Sequence, residues 1–131
     1  MTPNIRTGSL RYIKTVHKGI GIDIIEIQRV KTAVKQFKGK FLDKIFTKRE
    51  IEYCTNRKAL KYPELAARFA AKEAYSKANG TGIRGIHWKQ IEVINSGSGK
   101  PQIYIKGKLS RNAMVSLSHS LNYATAVVMV N

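Results

Sequence analysis

A chain of 131 residues with 43% hydrophobic content has the size of one domain and the apolar material for one modest core, which excludes a disordered polymer. Lys and Arg number 24 against 8 Asp and Glu, a net charge of +16. One cysteine, Cys54, excludes an intrachain disulfide, no Cys/His cluster has zinc spacing, and no apolar run reaches membrane-spanning length.

The charge excess fits several polyanions: nucleic acid, an anionic membrane, an acidic protein or a phosphate-rich cofactor. A lysine-rich, solvated surface accounts for a minor share of it without any of them. A domain of this size has little room for a deep pocket, so a site at a subunit boundary is easier to build.

Residues 1–15 hold Arg6, Arg11 and Lys14, several Ser and Thr, and no acid. That is the composition of an organellar transit peptide, and also what a cloning leader or an early start codon would produce. The fold is therefore sought in 16–131. A cytoplasmic location is expected, or an organellar one if residues 1–15 are a transit segment.

Residues 16–27 are rich in isoleucine, with Gly19 and Gly21 where another backbone or a ligand could come close, and predict a buried strand. Val30, Ala33, Val34 and Phe37 have helical spacing and predict a helix over 28–38, ended by Gly39. Thr47 and Glu50 form a capping box that opens a helix over 48–56, with Cys54 in or near the core. Pro63 at a first helical position, beside Glu64, opens a long helix over 63–79, with Gly80 as its C-terminal cap. Apolar alternation predicts a strand over 86–95. The run 96–101 reads as a hairpin connection and 102–105 as its return strand. A turn or short helix over 108–112 leads to strands over 114–118 and 123–130. The order of strand, helices and strands is that of one α+β domain.

Asp23 interrupts a strand of isoleucines. A buried carboxylate needs a cation or hydrogen bonds, so it is either a strand-end acid capping the next helix or a ligand for a hard cation such as Mg²⁺. Glu73 shares a helix face with Phe69 and Lys77. A surface ion pair with Lys77 explains it, but Phe69, Ala70, Ala71 and Ala74 around it put it at a groove or interface. Arg68, Lys72 and Lys77 place three cations about one acid. That makes sense if a phosphate ligand supplies the missing negative charge, because Mg²⁺ takes one or two protein carboxylates and fills its other positions with phosphate and water. Gly80-Thr81-Gly82 offers backbone N–H groups for an anion, or is simply a helix-ending turn. His119 reads as structural or as a donor to phosphate. Serines 116, 118 and 120 have no glycine-flanked elbow and no acid near His119 in sequence, so they are not read as nucleophiles.

Gly19-Ile-Gly-Ile-Asp23-Ile with Arg29, and Arg68-Phe-Ala-Ala-Lys-Glu-Ala-Tyr-Ser-Lys77-Ala with Gly80-Thr-Gly82, resemble the two signature blocks of the holo-acyl carrier protein synthases. These are small phosphopantetheinyl transferases. Gly99-Lys-Pro101 and Val115-Ser-Leu-Ser-His119 are similar to two further patches of that family, and the likeness runs over 16–130 in intact order. The resemblance implies an α+β domain with an antiparallel sheet on a long helix, in a homotrimer with active sites at subunit interfaces. It implies transfer of 4′-phosphopantetheine from coenzyme A to a serine of apo-acyl carrier protein, releasing adenosine 3′,5′-bisphosphate and serving fatty acid biosynthesis.

By motif position, Asp23 and Glu73 would bind Mg²⁺ on the coenzyme A pyrophosphate, and Lys77 would stabilise the transferring group. Arg68, Lys72, Gly80, Thr81, Gly82 and His119 would complete the coenzyme A site. Arg29 would face the acidic carrier protein, in a stretch, 28–62, where eleven Lys or Arg stand against three Asp or Glu. The serine's general base stays open between Glu73 and a metal-bound water. No nucleic acid or membrane partner is expected, since the strand 86–95 offers only Trp88 beside Lys89 as a stacking platform. A small basic nucleic-acid-binding protein, or a non-catalytic binder of coenzyme A or carrier protein, is the alternative.

Overall fold

A computed structural model describes residues 19–80 and 87–131. Strand β1 (Gly19–Glu26) leads directly into helix α1 (Ile27–Phe37). Two short helices follow, α2 (Gly39–Ile45) and α3 (Lys48–Tyr53), then a small hairpin of β2 (Thr55–Asn56) and β3 (Ala59–Leu60). The long helix α4 (Tyr62–Ala78) precedes a 3₁₀ turn (Trp88–Gln90) and five strands. These are β4 (Ile91–Asn95), β5 (Pro101–Ile105), β6 (Lys108–Leu109), β7 (Ala113–His119) and β8 (Tyr123–Val130).

Two antiparallel three-stranded sheets result, in the orders β1-β8-β7 and β4-β5-β6. The α+β architecture expected from the sequence is the one observed. Helix α4 packs on β1 and β8 and reaches β4, while β5 meets β7. Eleven of its 17 residues are buried, so its apolar residues do not form the single stripe of a surface helix.

Close approach of β1 to α4 depends on small residues on both sides. A Cβ built on Gly19 would stand 1.8 Å from the Ala78 carbonyl oxygen, and one on Gly21 would stand 2.0 Å from that of Ala74. Alternation along β1 then turns Gly19, Gly21, Asp23 and Ile25 toward α4 and leaves Ile20, Ile22 and Ile24 about 65% exposed.

The capping box of α3 forms as expected: Thr47 Oγ1 accepts from the Glu50 amide at 3.2 Å, and Glu50 Oε1 accepts from the Thr47 amide at 3.0 Å. The helix ends at Tyr53, and Cys54 is fully buried at its C-terminal cap. The expected stop at Gly39 is corrected. Helix α1 ends at Phe37, Lys38 takes a positive φ of 51°, and Gly39 begins α2. Seven residues are too few for a visible helical period, which is why α2 had no counterpart in the sequence reading. Residues 108–112 form β6 and a turn, not a helix. The first part of the expected strand 86–95 is the 3₁₀ turn at Trp88–Gln90. Gly80 follows α4 with φ 74°, the left-handed conformation expected of a helix-ending glycine.

Candidate active site

Helix α4 carries both candidate sites on different sides. Phe69, Glu73 and Lys77 are four residues apart and form one row. Glu64 and Arg68 form another, about 100° away around the helix axis.

The first row faces β1. Asp23, Ile24 and Ile25 of β1, Arg29, Val30 and Ala33 of α1, Phe41 of α2, and Phe69 and Glu73 line a cleft of about 360 Å³. Asp23 and Glu73 stand close enough for the Asp23 charge to act on Glu73. Desolvation first, and then repulsion from Asp23, raise the Glu73 carboxyl above its usual pKa, while Lys77 opposes the shift. Lys77 Nζ donates to Asp23 Oδ1 at 3.2 Å and to the Ile22 carbonyl at 3.0 Å. Asp23 is thus partnered but not buried, and it does not cap α1, whose N-terminus has no side-chain cap. The reading of Asp23 as a capping acid is set aside on that geometry.

Two half-buried carboxylates that repel each other beside one ammonium form an oxygen donor set suited to a hard divalent cation. Among the described residues no cluster of three or more His, Cys, Asp or Glu gathers. A cation here would have two protein carboxylates, with its other positions open to water and phosphate oxygens. Arg29, expected at the partner surface, lies exposed on the rim of this same cleft.

A second cleft, of about 490 Å³, opens on the other side of α4. It brings Arg68 together with His119 at the end of β7 and with Gly99, Lys100 and Pro101 of the β4–β5 hairpin. Arg68 is 1% exposed. Its Nη2 donates to Asn95 Oδ1, its Nη1 lies 3.4 Å from the Glu64 carbonyl oxygen, and its guanidinium lies 4.2 Å from the Tyr53 ring centre. His119 is exposed, with Nε2 3.5 Å from Glu64 Oε1. The two clefts share no lining residue.

Lys72 lies in neither cleft, and its expected place among the coenzyme A contacts is corrected. One residue before Glu73, it turns about 100° away, into the core. It is fully buried, and its three protons go to the Ile45 carbonyl at 2.8 Å, Glu50 Oε1 at 2.7 Å and the Trp88 carbonyl at 2.9 Å. An ammonium has three donors, so none remains for a phosphate. Burial lowers the Lys72 pKa and Glu50 opposes that shift. The expected grouping of three cations about Glu73 therefore reduces to Lys77 alone. Thr81 and Gly82 lie outside the described residues.

The sequence reading missed Glu64, Asn95 and Phe41 as cleft residues. Asn95 carries no local signal. Glu64 was visible as a first-turn acid four residues before Arg68, and Phe41 belongs to the helix too short to detect.

A profile of the 4′-phosphopantetheinyl transferase superfamily matches residues 19–128, and so spans both clefts. The chain belongs to that superfamily. This transferase is similar to the holo-[acyl-carrier-protein] synthase of Chlamydia caviae, 47% identical over 126 residues that cover 89% of this chain and 98% of the relative. That of Chloroherpeton thalassium is 46% identical over 116 residues, covering 85% and 95%. Among solved structures, the transferase resembles Helicobacter pylori holo-[acyl-carrier-protein] synthase in complex with coenzyme A, with a TM-score of 0.73, 34% identity and coverage of 86% and 99%. The Bacillus anthracis synthase in complex with coenzyme A (3′,5′-ADP) aligns with a TM-score of 0.71 at 38% identity, covering 86% and 94%.

Proposed function

We propose that the protein is a holo-[acyl-carrier-protein] synthase that transfers 4′-phosphopantetheine from coenzyme A to a serine of apo-acyl carrier protein. The observation that carries this reading is the pairing of Asp23 and Glu73 across the β1–α4 contact, with Lys77 beside them, inside the matched segment. In the transfer, the serine oxygen forms a bond to the pyrophosphate phosphorus that bears pantetheine. The bond from that phosphorus to the bridging oxygen breaks, adenosine 3′,5′-bisphosphate leaves, and the serine proton goes to a base.

Phosphoryl transfer asks a protein mainly for positioning and charge neutralisation. Asp23 and Glu73 would hold Mg²⁺, which when bound offsets phosphate charge. Lys77, exposed beside Asp23, would stabilise the transferring group. Arg29 and the basic stretch 28–62 suit an acidic carrier protein by charge. Arg68, His119 and Lys100 suit the remaining phosphate of coenzyme A.

The two clefts argue for assembly. One chain presents carboxylates in one cleft and Arg68 with His119 in another, which supports a complete site drawn from two copies. The outer face of the β1-β8-β7 sheet carries Ile20, Ile22 and Ile24 about 65% exposed and Met114 62% exposed, a patch suited to burial between subunits. A homotrimer closes such a heterologous contact into a ring. Among the described residues no helix is long and apolar enough to cross a membrane. A place in fatty acid biosynthesis, in the cytoplasm, accords with the substrate.

The test is the intact mass of an apo-acyl carrier protein incubated with this protein, coenzyme A and Mg²⁺, with and without chelator. A chelator-sensitive gain of about 340 Da, one phosphopantetheine, is expected. No gain with several carrier proteins would replace transfer by a binding role.

A further inference from the structure

Glu64 is a negative charge in a cleft that the proposed reaction needs for phosphate. Its Oε2 lies 3.5 Å from Arg68 Nη1 and its Oε1 lies 3.5 Å from His119 Nε2. Charge-assisted hydrogen bonds of this kind close to about 2.7–2.9 Å. The carboxylate therefore sits between two donors, at the long limit of a hydrogen bond to Arg68 and no closer to His119, and 29% of its side chain meets solvent.

An acid in the first turn of a helix is ordinary stabilisation and would carry no role alone. Two further observations set this one apart. First, His119 approaches it from a different element, β7, across the cleft. Second, the buried Nε of Arg68 has no acceptor among the described residues. Arg68 is also held without Glu64's carboxylate, by Asn95, by the Glu64 backbone carbonyl and by the Tyr53 ring. The carboxylate is thus one long contact of the guanidinium among several.

We propose that Glu64 is an internal counter-anion that competes with a phosphate monoester for Arg68 and His119, and so limits how tightly the bisphosphate product is held. This rests on the transferase reading above. An arriving phosphate gains the two donors only by moving the carboxylate aside or by tolerating its charge, and product release gains by the same amount.

The experiment compares the full chain with E64Q and E64D in the presence of Mg²⁺. It measures the inhibition constant of adenosine 3′,5′-bisphosphate and the affinity for dephospho-coenzyme A, which lacks the phosphate monoester. Glu64→Gln should tighten the bisphosphate roughly three- to tenfold, with the gain shrinking as salt rises. Dephospho-coenzyme A should bind unchanged, and Glu64→Asp, which keeps the charge, should stay near wild type. Thermal midpoints verify that the variants fold. Unchanged or weaker bisphosphate inhibition in E64Q, or equal tightening of dephospho-coenzyme A, overturns the proposal. A wild-type chain that binds no coenzyme A fails the transferase reading itself, and this proposal with it.

Discussion

At Glu73 two effects meet on one carboxyl. Partial burial and the Asp23 charge both raise its pKa above 4.5. The folded-state value therefore exceeds the unfolded one, and metal-free protein loses stability as pH rises from 4.5 through the raised value. A bound divalent cation offsets that repulsion. Added Mg²⁺ should thus raise the thermal midpoint at neutral pH, and the increment should fade on acidification sooner than for an ordinary carboxylate. Scans with Mg²⁺ against chelator across pH measure this directly, and a pH-independent increment would contradict it. Glu73→Gln should keep the fold, abolish the metal-dependent increment and reduce transfer to background. Near-normal activity of that variant with Mg²⁺ would remove Glu73 from the proposed metal site.

Between elements, the decisive contacts are a backbone approach and a buried ion pair. Gly21 lies where a Cβ would stand 2.0 Å from the Ala74 carbonyl oxygen, so Gly21→Ala must separate β1 from α4 and move Asp23 away from Glu73. Overpacking of this kind costs about 1–3 kcal/mol and more where backbone is struck. Denaturant unfolding should show at least that loss, with transfer falling further than stability. The Lys72–Glu50 pair joins the end of α2, helix α3, helix α4, the 3₁₀ turn and β4. Glu50 accepts from Thr47 N, Lys72 Nζ and, at 2.9 Å, Val93 N. Lys72→Met leaves that carboxylate buried without its cation and should cost about 3–5 kcal/mol. Replacing Glu50 as well should recover part of the loss, which a double-mutant cycle in urea would read.

For the whole molecule, the proposed trimer would bury the exposed apolar face of β1 and β7. Ile22→Lys places a charge at its centre. If the proposed trimer forms through this face, it should lower the assembly's mass by sedimentation while leaving the fold of each chain, and should cost most of the transfer activity, because the proposed site draws on two copies. A trimer that persists in I22K would locate the interface elsewhere.

What the sequence determined by itself is what short-range physics controls. Apolar period, the Thr47–Glu50 box, Pro63 and Gly80 placed the main elements, and the paired motifs pointed to Asp23, Glu73 and Lys77 as one group. The tertiary structure decided what each cation meets. Arg68, Lys72 and Lys77 look alike in sequence, but each lies at a different angle around α4. One meets a hairpin and a histidine, one a buried carboxylate, one the edge of β1. Partners such as Glu50 and Asn95 come from 22 and 27 residues away. No local pattern encodes them, because packing and not spacing brings them together.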